Sequence, residues 1–217
     1  MNHKLLKPLS FLWPVSLVRT VSRDTGKELV LVYDRGRLKL QTDDAVYSFD
    51  DKYHVFARAL AEIAGARRGE KVLILGFGLG SIVYILEKNY GLTKQITGVE
   101  SDGTIIALAQ KYSLPRFRSS VGILHTDAAT FIKKNTQTYD LVCADIFVGS
   151  RVPAFAQQLS FLQDTRRALA PGGRLLFNYM KDRPDEFASF RARFLEVFPG
   201  GRIYDFDTNF ILYAEVM

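Results

Sequence analysis

Short runs of alternating apolar and polar residues open the folded part of the chain. Residues 29–33, 37–41 and 45–49 alternate in this way and predict three strands. The turns between them, 34–36 and Asp43-Asp44, are short and rich in turn-forming residues. Because such short connections join antiparallel neighbours, we predict a small N-terminal antiparallel meander.

A helix is predicted next, over residues 51–64. Its apolar side chains recur at spacings of three and four and form one face, made by Tyr53, Phe56, Leu60 and Ile63. Tyr53 therefore fits the hydrophobic core as well as any role in a site.

From residue 71 onward, apolar strands alternate with amphipathic helices. The predicted strands cover residues 72–75, 96–100, 121–125, 139–145 and 174–179. The predicted helices cover residues 81–89, 104–111, 128–134 and 155–169, and a further helix begins at Pro184. This alternation is typical of a parallel sheet covered by helices on both faces.

The end of the chain follows another pattern. Two strand-like runs, 202–206 and 210–216, are separated only by Asp207-Thr208-Asn209, so they should pair in antiparallel fashion. We therefore predict an α/β fold with a doubly wound, mostly parallel seven-stranded sheet that ends in an antiparallel hairpin. Residues 1–50 should hold the meander and residues 51–217 a cofactor-binding domain.

Composition restricts the class of protein. With 217 residues, 47% of them hydrophobic, the chain can build a sizeable core. Cys143 is the only cysteine, which excludes an intramolecular disulfide and favours a cytoplasmic protein. The apolar stretch 5–18 is interrupted by Lys7, Pro8 and Pro14, so we expect no membrane span.

Charge and histidine content give weaker indications. The formal net charge is +6, but the basic residues are scattered, so a small-molecule substrate is favoured over a nucleic acid. No metal site is expected, because His3, His54 and His125 are far apart in sequence.

A glycine-rich turn joins the strand at 72–75 to the following helix and contains Gly76, Gly78 and Gly80. Glycines there permit a tight reversal and let the backbone approach a ligand, while the helix N-terminus favours electron-rich groups. By itself the turn is equally compatible with a nucleotide site for NAD and with a purely structural turn.

Acidic residues follow the next three strands. Glu100 closes a strand 24 positions after Gly76, where a carboxylate can accept from two ribose hydroxyls, although it also fits a solvated acid at a helix start. Asp127 can accept from an adenine amino group while the amide of Ala128 donates to the ring. Asp145 ends the fourth predicted parallel strand, at the edge where open α/β sheets bind ligands.

Two motifs carry a family resemblance. The runs 139–145, Tyr-Asp-Leu-Val-Cys-Ala-Asp, and 169–175, Leu-Ala-Pro-Gly-Gly-Arg-Leu, resemble the fourth and fifth strand motifs of class I S-adenosylmethionine-dependent methyltransferases. The antiparallel finish is typical of the same superfamily. The resemblance therefore implies that the chain binds the cofactor of this superfamily, S-adenosylmethionine.

Within that superfamily the chain most resembles spermidine synthases, the aminopropyltransferases. The meander, the run Asp50-Asp51-Lys52-Tyr53-His54 and Leu75 before the first glycine carry this resemblance. It implies an active-site tyrosine at Tyr53 and a cofactor contact at His54. By the same matching, Glu100 is the ribose acid, Asp127 the adenine partner and Asp145 the first catalytic aspartate, and a homodimer is suggested.

Two residues depart from the pattern that the family resemblance implies, and both bear on the activity. Leu79 and Val148 stand where the resemblance implies carboxylates that hold cationic amines. We therefore expect a methyltransferase of unidentified acceptor, with Asp145 as base or amine anchor and Tyr53 closing the pocket. The alternatives are an aminopropyltransferase with an altered amine site that uses decarboxylated S-adenosylmethionine, and a cofactor-binding paralogue without catalysis.

Overall fold

The computed structural model describes residues 6–43, 45–149, 151–181 and 184–217. Within these ranges the chain forms a four-stranded antiparallel sheet and a seven-stranded sheet. His3, Leu5 and Asp44, which entered the sequence interpretation, lie outside the described residues. The predicted fold class is confirmed, and the division at residue 50 stays a prediction.

The small sheet has one strand more than the sequence pattern predicts. Its strands are β1 (Val15–Val21), β2 (Glu28–Asp34), β3 (Arg37–Gln41) and β4 (Val46–Ser48), paired in chain order. A register shift between Ser16 and Val18 interrupts the pairing of β1 with β2. Because this irregularity breaks the two-residue alternation, β1 does not show the usual signal of a half-buried strand.

The large sheet carries the helices. Its strands are β5 (Lys71–Leu75), β6 (Gln95–Glu100), β7 (Ser120–His125), β8 (Tyr139–Ala144), β9 (Leu169–Met180), β10 (Arg202–Phe206) and β11 (Asn209–Glu215). Their spatial order is β10-β11-β9-β8-β5-β6-β7. Strands β5 to β9 pair in parallel, whereas β11 pairs antiparallel with both β9 and β10, so the predicted hairpin finish is confirmed.

Helices cover both faces of the large sheet. They are α1 (His54–Glu62), α2 (Ser81–Tyr90), α3 (Gly103–Tyr112), α4 (Ala128–Lys134), α5 (Leu159–Arg167) and α6 (Pro184–Val197). One hydrophobic core joins the small sheet to α1, α2 and α3, and a second packs α4, α5 and α6 against the other face. No helix in the described ranges combines the length and apolar content needed to cross a membrane.

Two predicted helices have different bounds in the structure. The helix predicted over residues 51–64 begins only at His54, because Tyr53 has a ψ of 80° and residues 50–52 form a 3-10 turn. The helix predicted over residues 155–169 is divided at Gln158, whose ψ of 148° is extended. A 3-10 turn precedes this break, and Leu169 already belongs to β9.

A buried ion pair fastens the segment after β4 to the large sheet. Asp50 is 4% exposed and accepts hydrogen bonds from Arg116 Nη1 and Nη2, at 3.1 and 2.6 Å, and from the amide of Leu38 at 2.9 Å. Burial raises the pKa of Asp50, and the Arg116 guanidinium opposes that shift. The guanidinium also lies over the ring of Tyr84 in α2, 4.6 Å from its centre. Small sheet, connecting segment and α2 are thereby held together.

We predict that Arg116→Met lowers the free energy of unfolding by about 3–5 kcal/mol, because it leaves the Asp50 carboxylate buried without its charged partner. Urea unfolding measures the change. The Asp50→Asn/Arg116→Met double variant should recover part of the loss, since no charge is then buried.

Arg118→Met is the matched control for this prediction. The Arg118 side chain is 64% exposed and lies 3.8 Å from Glu87, so its loss should cost less than about 1 kcal/mol. Equal losses in the Arg116 and Arg118 variants would contradict a structural role for the Asp50–Arg116 pair.

Candidate functional site

A cavity of about 500 Å³ lies at the carboxyl ends of β5, β6, β7 and β8. Parallel strands bring their carboxyl ends to one edge, which is where open α/β sheets bind ligands. The segment that follows β4, residues 49–55, also lines the cavity and is called the covering segment below. Eight of the predicted site residues line it: Tyr53, His54, Gly76, Gly78, Glu100, Asp127, Ala128 and Asp145.

The glycine turn lets three strand ends meet. Gly76 has a φ of +85°, and a Cβ on it would lie 2.2 Å from the backbone oxygen of Asp145. The amides of Gly76 and Phe77 donate to Val99 O at the end of β6, at 2.9 and 3.0 Å. The turn therefore requires glycine at position 76 and forms one wall of the cavity.

Gly80 does not line the cavity, unlike Gly76 and Gly78. It precedes α2 with a φ of +81°. A Cβ there would lie 2.8 Å from the Phe77 ring and 2.9 Å from the Phe117 ring. Gly80 thus permits close packing behind the turn.

Glu100 connects the end of β6 to the glycine turn. Its Oε2 accepts from the amide of Gly78 at 2.9 Å, and its Oε1 accepts from the amides of Ser101 and Asp102 at 2.9 and 3.1 Å. Burial raises the pKa of Glu100, while these backbone donors favour its charged form. The carboxylate both shapes the turn and lines the cavity. Because it is buried, the interpretation as a solvated acid at a helix start is wrong, and its contact with a ribose stays a prediction.

Asp127 caps α4. Its side chain accepts from the amide of Thr130 at 2.8 Å, and hydrogen bonding to Thr130 holds the pKa of Asp127 below its ordinary value. This cap places the exposed Asp127 and the buried Ala128 side by side at the cavity wall. His54, the first residue of α1, is exposed and lines the cavity from the covering segment.

Asp145 lies at the centre of a polar network. Its Oδ1 accepts from the Tyr53 hydroxyl at 3.1 Å and from Asn178 Nδ2 at 2.8 Å. The Asn178 Oδ1 accepts in turn from Asn209 Nδ2 at 2.8 Å. Burial raises the pKa of Asp145 to about 6, against the effect of its two donors and with a contribution from the charge of Glu100.

Tyr53 packs against the hydrophobic core and also lines the cavity. Its ring stacks on Phe56 with 6.1 Å between the ring centres, while its hydroxyl reaches Asp145. Burial raises the pKa of Tyr53 well above its ordinary value, so the hydroxyl keeps its proton and acts as a donor. The apolar stripe in the sequence and the suggested site role therefore describe the same side chain.

Two residues of the network were missed from the sequence. Asn178 is 1% exposed in β9, and Asn209 starts β11. An amide within the apolar run of residues 175–179 was a readable signal for Asn178, because a buried polar group needs a partner. Asn209 follows a turn, where asparagine is common for local reasons, and gave no such signal.

The two expected carboxylate positions lie in different surroundings. Leu79 is 3% exposed, packs in the hydrophobic core and is not among the cavity-lining residues. Val148 lines the cavity and is 68% exposed. Asp145 is thus the one carboxylate that the described residues place in the polar network with Tyr53 and Asn178.

Comparisons with known proteins agree with this architecture. The family model described as the spermine/spermidine synthase domain matches residues 53–181. A polyamine aminopropyltransferase of Vibrio vulnificus is 28% identical over 135 residues, which are 59% of this chain and 45% of that protein. The chain thus matches about half the length of that curated relative.

Solved structures show the same fold. The spermidine synthase of Thermotoga maritima superposes with a TM-score of 0.71 at 18% identity, covering 93% of this chain and 72% of that one. Human methyltransferase-like protein 13 in complex with SAH gives a TM-score of 0.59 at 21% identity, covering 70% of this chain and 74% of that one. The resemblance noted in the sequence is confirmed: this chain belongs to the spermine/spermidine synthase domain family.

Proposed function

We propose that this chain is a transferase that binds S-adenosylmethionine and moves its methyl group to a small nucleophile held beside Asp145. The observation that carries the proposal is the Asp145 network. A carboxylate with a pKa raised to about 6 lines the same cavity as the glycine turn and is oriented by two donors. Such a group is suited to accepting a proton at neutral pH.

The residues on the other side of the cavity fit a nucleoside. Gly76 and Gly78 bring bare backbone to the cavity, and both have positive φ values, 85° and 56°. Glu100 would accept from the ribose hydroxyls, and Asp127 with Ala128 would face the adenine edge. A volume of about 500 Å³ lies in the usual range for small-molecule sites.

The side chains do two things in the reaction. When bound, the donor supplies an electrophilic methyl carbon, and the electron pair of its carbon–sulfur bond stays on sulfur as a neutral thioether. Asp145 accepts the proton that the nucleophile loses, and Tyr53 and Asn178 hold the carboxylate in place. The apolar side chains of Phe147, Phe155 and Met180 line the cavity and favour a small acceptor.

Aminopropyl transfer is the second candidate, and family membership favours it. The curated relatives are named polyamine aminopropyltransferases. Against it stand Leu79, buried in the core, and Val148, where the family resemblance implies carboxylates. An amine cation would meet Asp145 here with less negative charge around it.

We predict that S-adenosylmethionine binds and that Glu100→Ala weakens binding by roughly 1.5–3 kcal/mol, the range for hydrogen bonds to a charged group. Isothermal calorimetry measures the affinities. Glu87→Ala is the matched control, because Glu87 also accepts backbone hydrogen bonds, from Arg118 and Ser119, but does not line the cavity. Tighter binding of NAD than of S-adenosylmethionine would overturn the proposal.

We predict that the Asp145 carboxyl titrates near pH 6, as burial raises its pKa to about 6. Carbon-13 NMR of aspartate-labelled protein, assigned with Asp145→Asn, measures the midpoint. Tyr53→Phe removes a donor that favours the charged form, so the midpoint should rise, by about 1 pH unit for a hydrogen bond of ~1.5 kcal/mol.

Tyr90→Phe controls for the loss of a hydroxyl, since Tyr90 lies under Arg67 and outside the cavity. It should leave the midpoint unchanged. A midpoint near the ordinary aspartate value in wild-type protein would show that Asp145 is not held in a site that favours proton transfer.

We predict negligible formation of spermidine from decarboxylated S-adenosylmethionine and putrescine. The two missing carboxylates should weaken binding of the cationic groups by roughly 10²- to 10⁴-fold. Turnover by wild type at about 1 s⁻¹ or faster would replace methyl transfer by aminopropyl transfer as the function.

The two variants that restore a carboxylate, Val148→Asp and Leu79→Asp, need different controls. Val148→Asp changes an exposed residue and should leave the fold intact, whereas Leu79→Asp places a charge in the core and requires a measured unfolding curve beside the assay. Spermidine formed by a folded variant but not by wild type would support an amine site that this chain has lost.

A further inference from the structure

We propose that Lys52 binds the carboxylate of the donor's methionine part and thereby selects S-adenosylmethionine over its decarboxylated form. This inference rests on the proposed function and assigns its donor specificity to one side chain. It follows from which charged side chains of residues 50–52 line the cavity and which do not.

The two aspartates before Lys52 are committed elsewhere. Asp50 is buried in its pair with Arg116, and Asp51 accepts from Arg37 Nε and Nη2 at 2.8 and 3.1 Å. Neither aspartate lines the cavity, whereas Lys52 does. Residues 50–52 are two acids and one base in sequence, and only the base lines the cavity.

The segment is also anchored next to the glycine turn. The Ser48 and Ser81 hydroxyls lie 2.6 Å apart, and the amide of Phe49 donates to Ser81 Oγ at 3.0 Å. A Cβ on Gly78 would lie 3.1 Å from the backbone oxygen of Tyr47. Lys52, four residues after Ser48, thus extends from a chain that is fixed against the start of α2.

The carboxylates of the cavity already have hydrogen-bond donors. Backbone amides donate to Glu100, the amide of Thr130 to Asp127, and Tyr53 and Asn178 to Asp145. Among the described residues, no carboxylate forms an ion pair with the exposed Lys52 ammonium, whose charge acts on Asp51 more weakly than Arg37 does. The side chain is therefore available to an anionic group of a ligand.

The donor chemistry provides the matching group. S-Adenosylmethionine carries an α-carboxylate, which the decarboxylated donor lacks, and an ammonium gains from the first without gaining from the second. The absence of a carboxylate at Leu79 acts in the same direction, because it removes a source of repulsion for a donor carboxylate. Both donors carry an amino group, so the loss of its implied partner does not separate them. Lys52 and the missing carboxylate both favour S-adenosylmethionine.

The test compares Lys52→Gln with wild type by calorimetry against S-adenosylmethionine, decarboxylated S-adenosylmethionine and 5′-methylthioadenosine. We expect the variant to bind S-adenosylmethionine about tenfold more weakly and the other two ligands unchanged, since one charge-assisted contact is lost. Lys52→Arg should keep the wild-type preference and Lys52→Glu should reverse it. Lys88→Gln, on the exposed face of α2, controls for net charge and should change nothing.

The outcomes separate the two proposals. If all three ligands bind but Lys52→Gln leaves the ratio of the two donor affinities unchanged, the role of Lys52 is wrong and the nucleoside site stands. If wild type binds none of the three ligands, the proposed function and this inference both fall.

Discussion

The buried pair between Asp50 and Arg116 is the interaction on which the shape of the cavity depends. It joins the segment after β4 to the turn between α3 and β7, and its guanidinium lies over the Tyr84 ring in α2. A carboxylate that is 4% exposed would be costly without its guanidinium partner, so the two must remain together in the folded state. Tyr53, Lys52 and His54 then reach the cavity because the chain is held just before them.

The three cavity carboxylates show how surroundings assign different roles to one kind of group. Glu100 accepts three backbone amides and maintains the glycine turn, and Asp127 caps α4. Asp145 has side-chain donors from Tyr53 and Asn178, and burial raises its pKa to about 6. Of the three, Asp145 is the one held by side-chain donors, and a carboxyl with a raised pKa in a cavity is common in active sites.

Membership of the spermine/spermidine synthase domain family describes ancestry and fold more fully than it describes activity. The same sheet edge supports many chemistries, and which one it performs depends on the charges that line the cavity. Here one expected acid is an apolar core residue, Leu79, and another is an exposed valine, Val148. A lysine stands in the covering segment instead, so the charge offered to a ligand differs from the pattern that the family resemblance implies.

The sequence by itself determined the alternation of strands and helices, the antiparallel finish and the sheet edge at which Glu100, Asp127 and Asp145 gather. These follow from periodicity and from the rule that parallel strands end at a common edge, both of which are local or topological properties. It did not reveal β1, whose register shift hides its alternation.

Only the tertiary structure decided which side chains meet. Tyr53 and Asp145 are 92 positions apart, and Asn178 joins them from a third element. Residues 50–52 are adjacent in sequence, yet their tertiary contacts differ. The two aspartates bind arginines, whereas Lys52 lines the cavity. Successive residues in a tight turn point in different directions, and their partners come from distant strands, so no local pattern encodes the outcome.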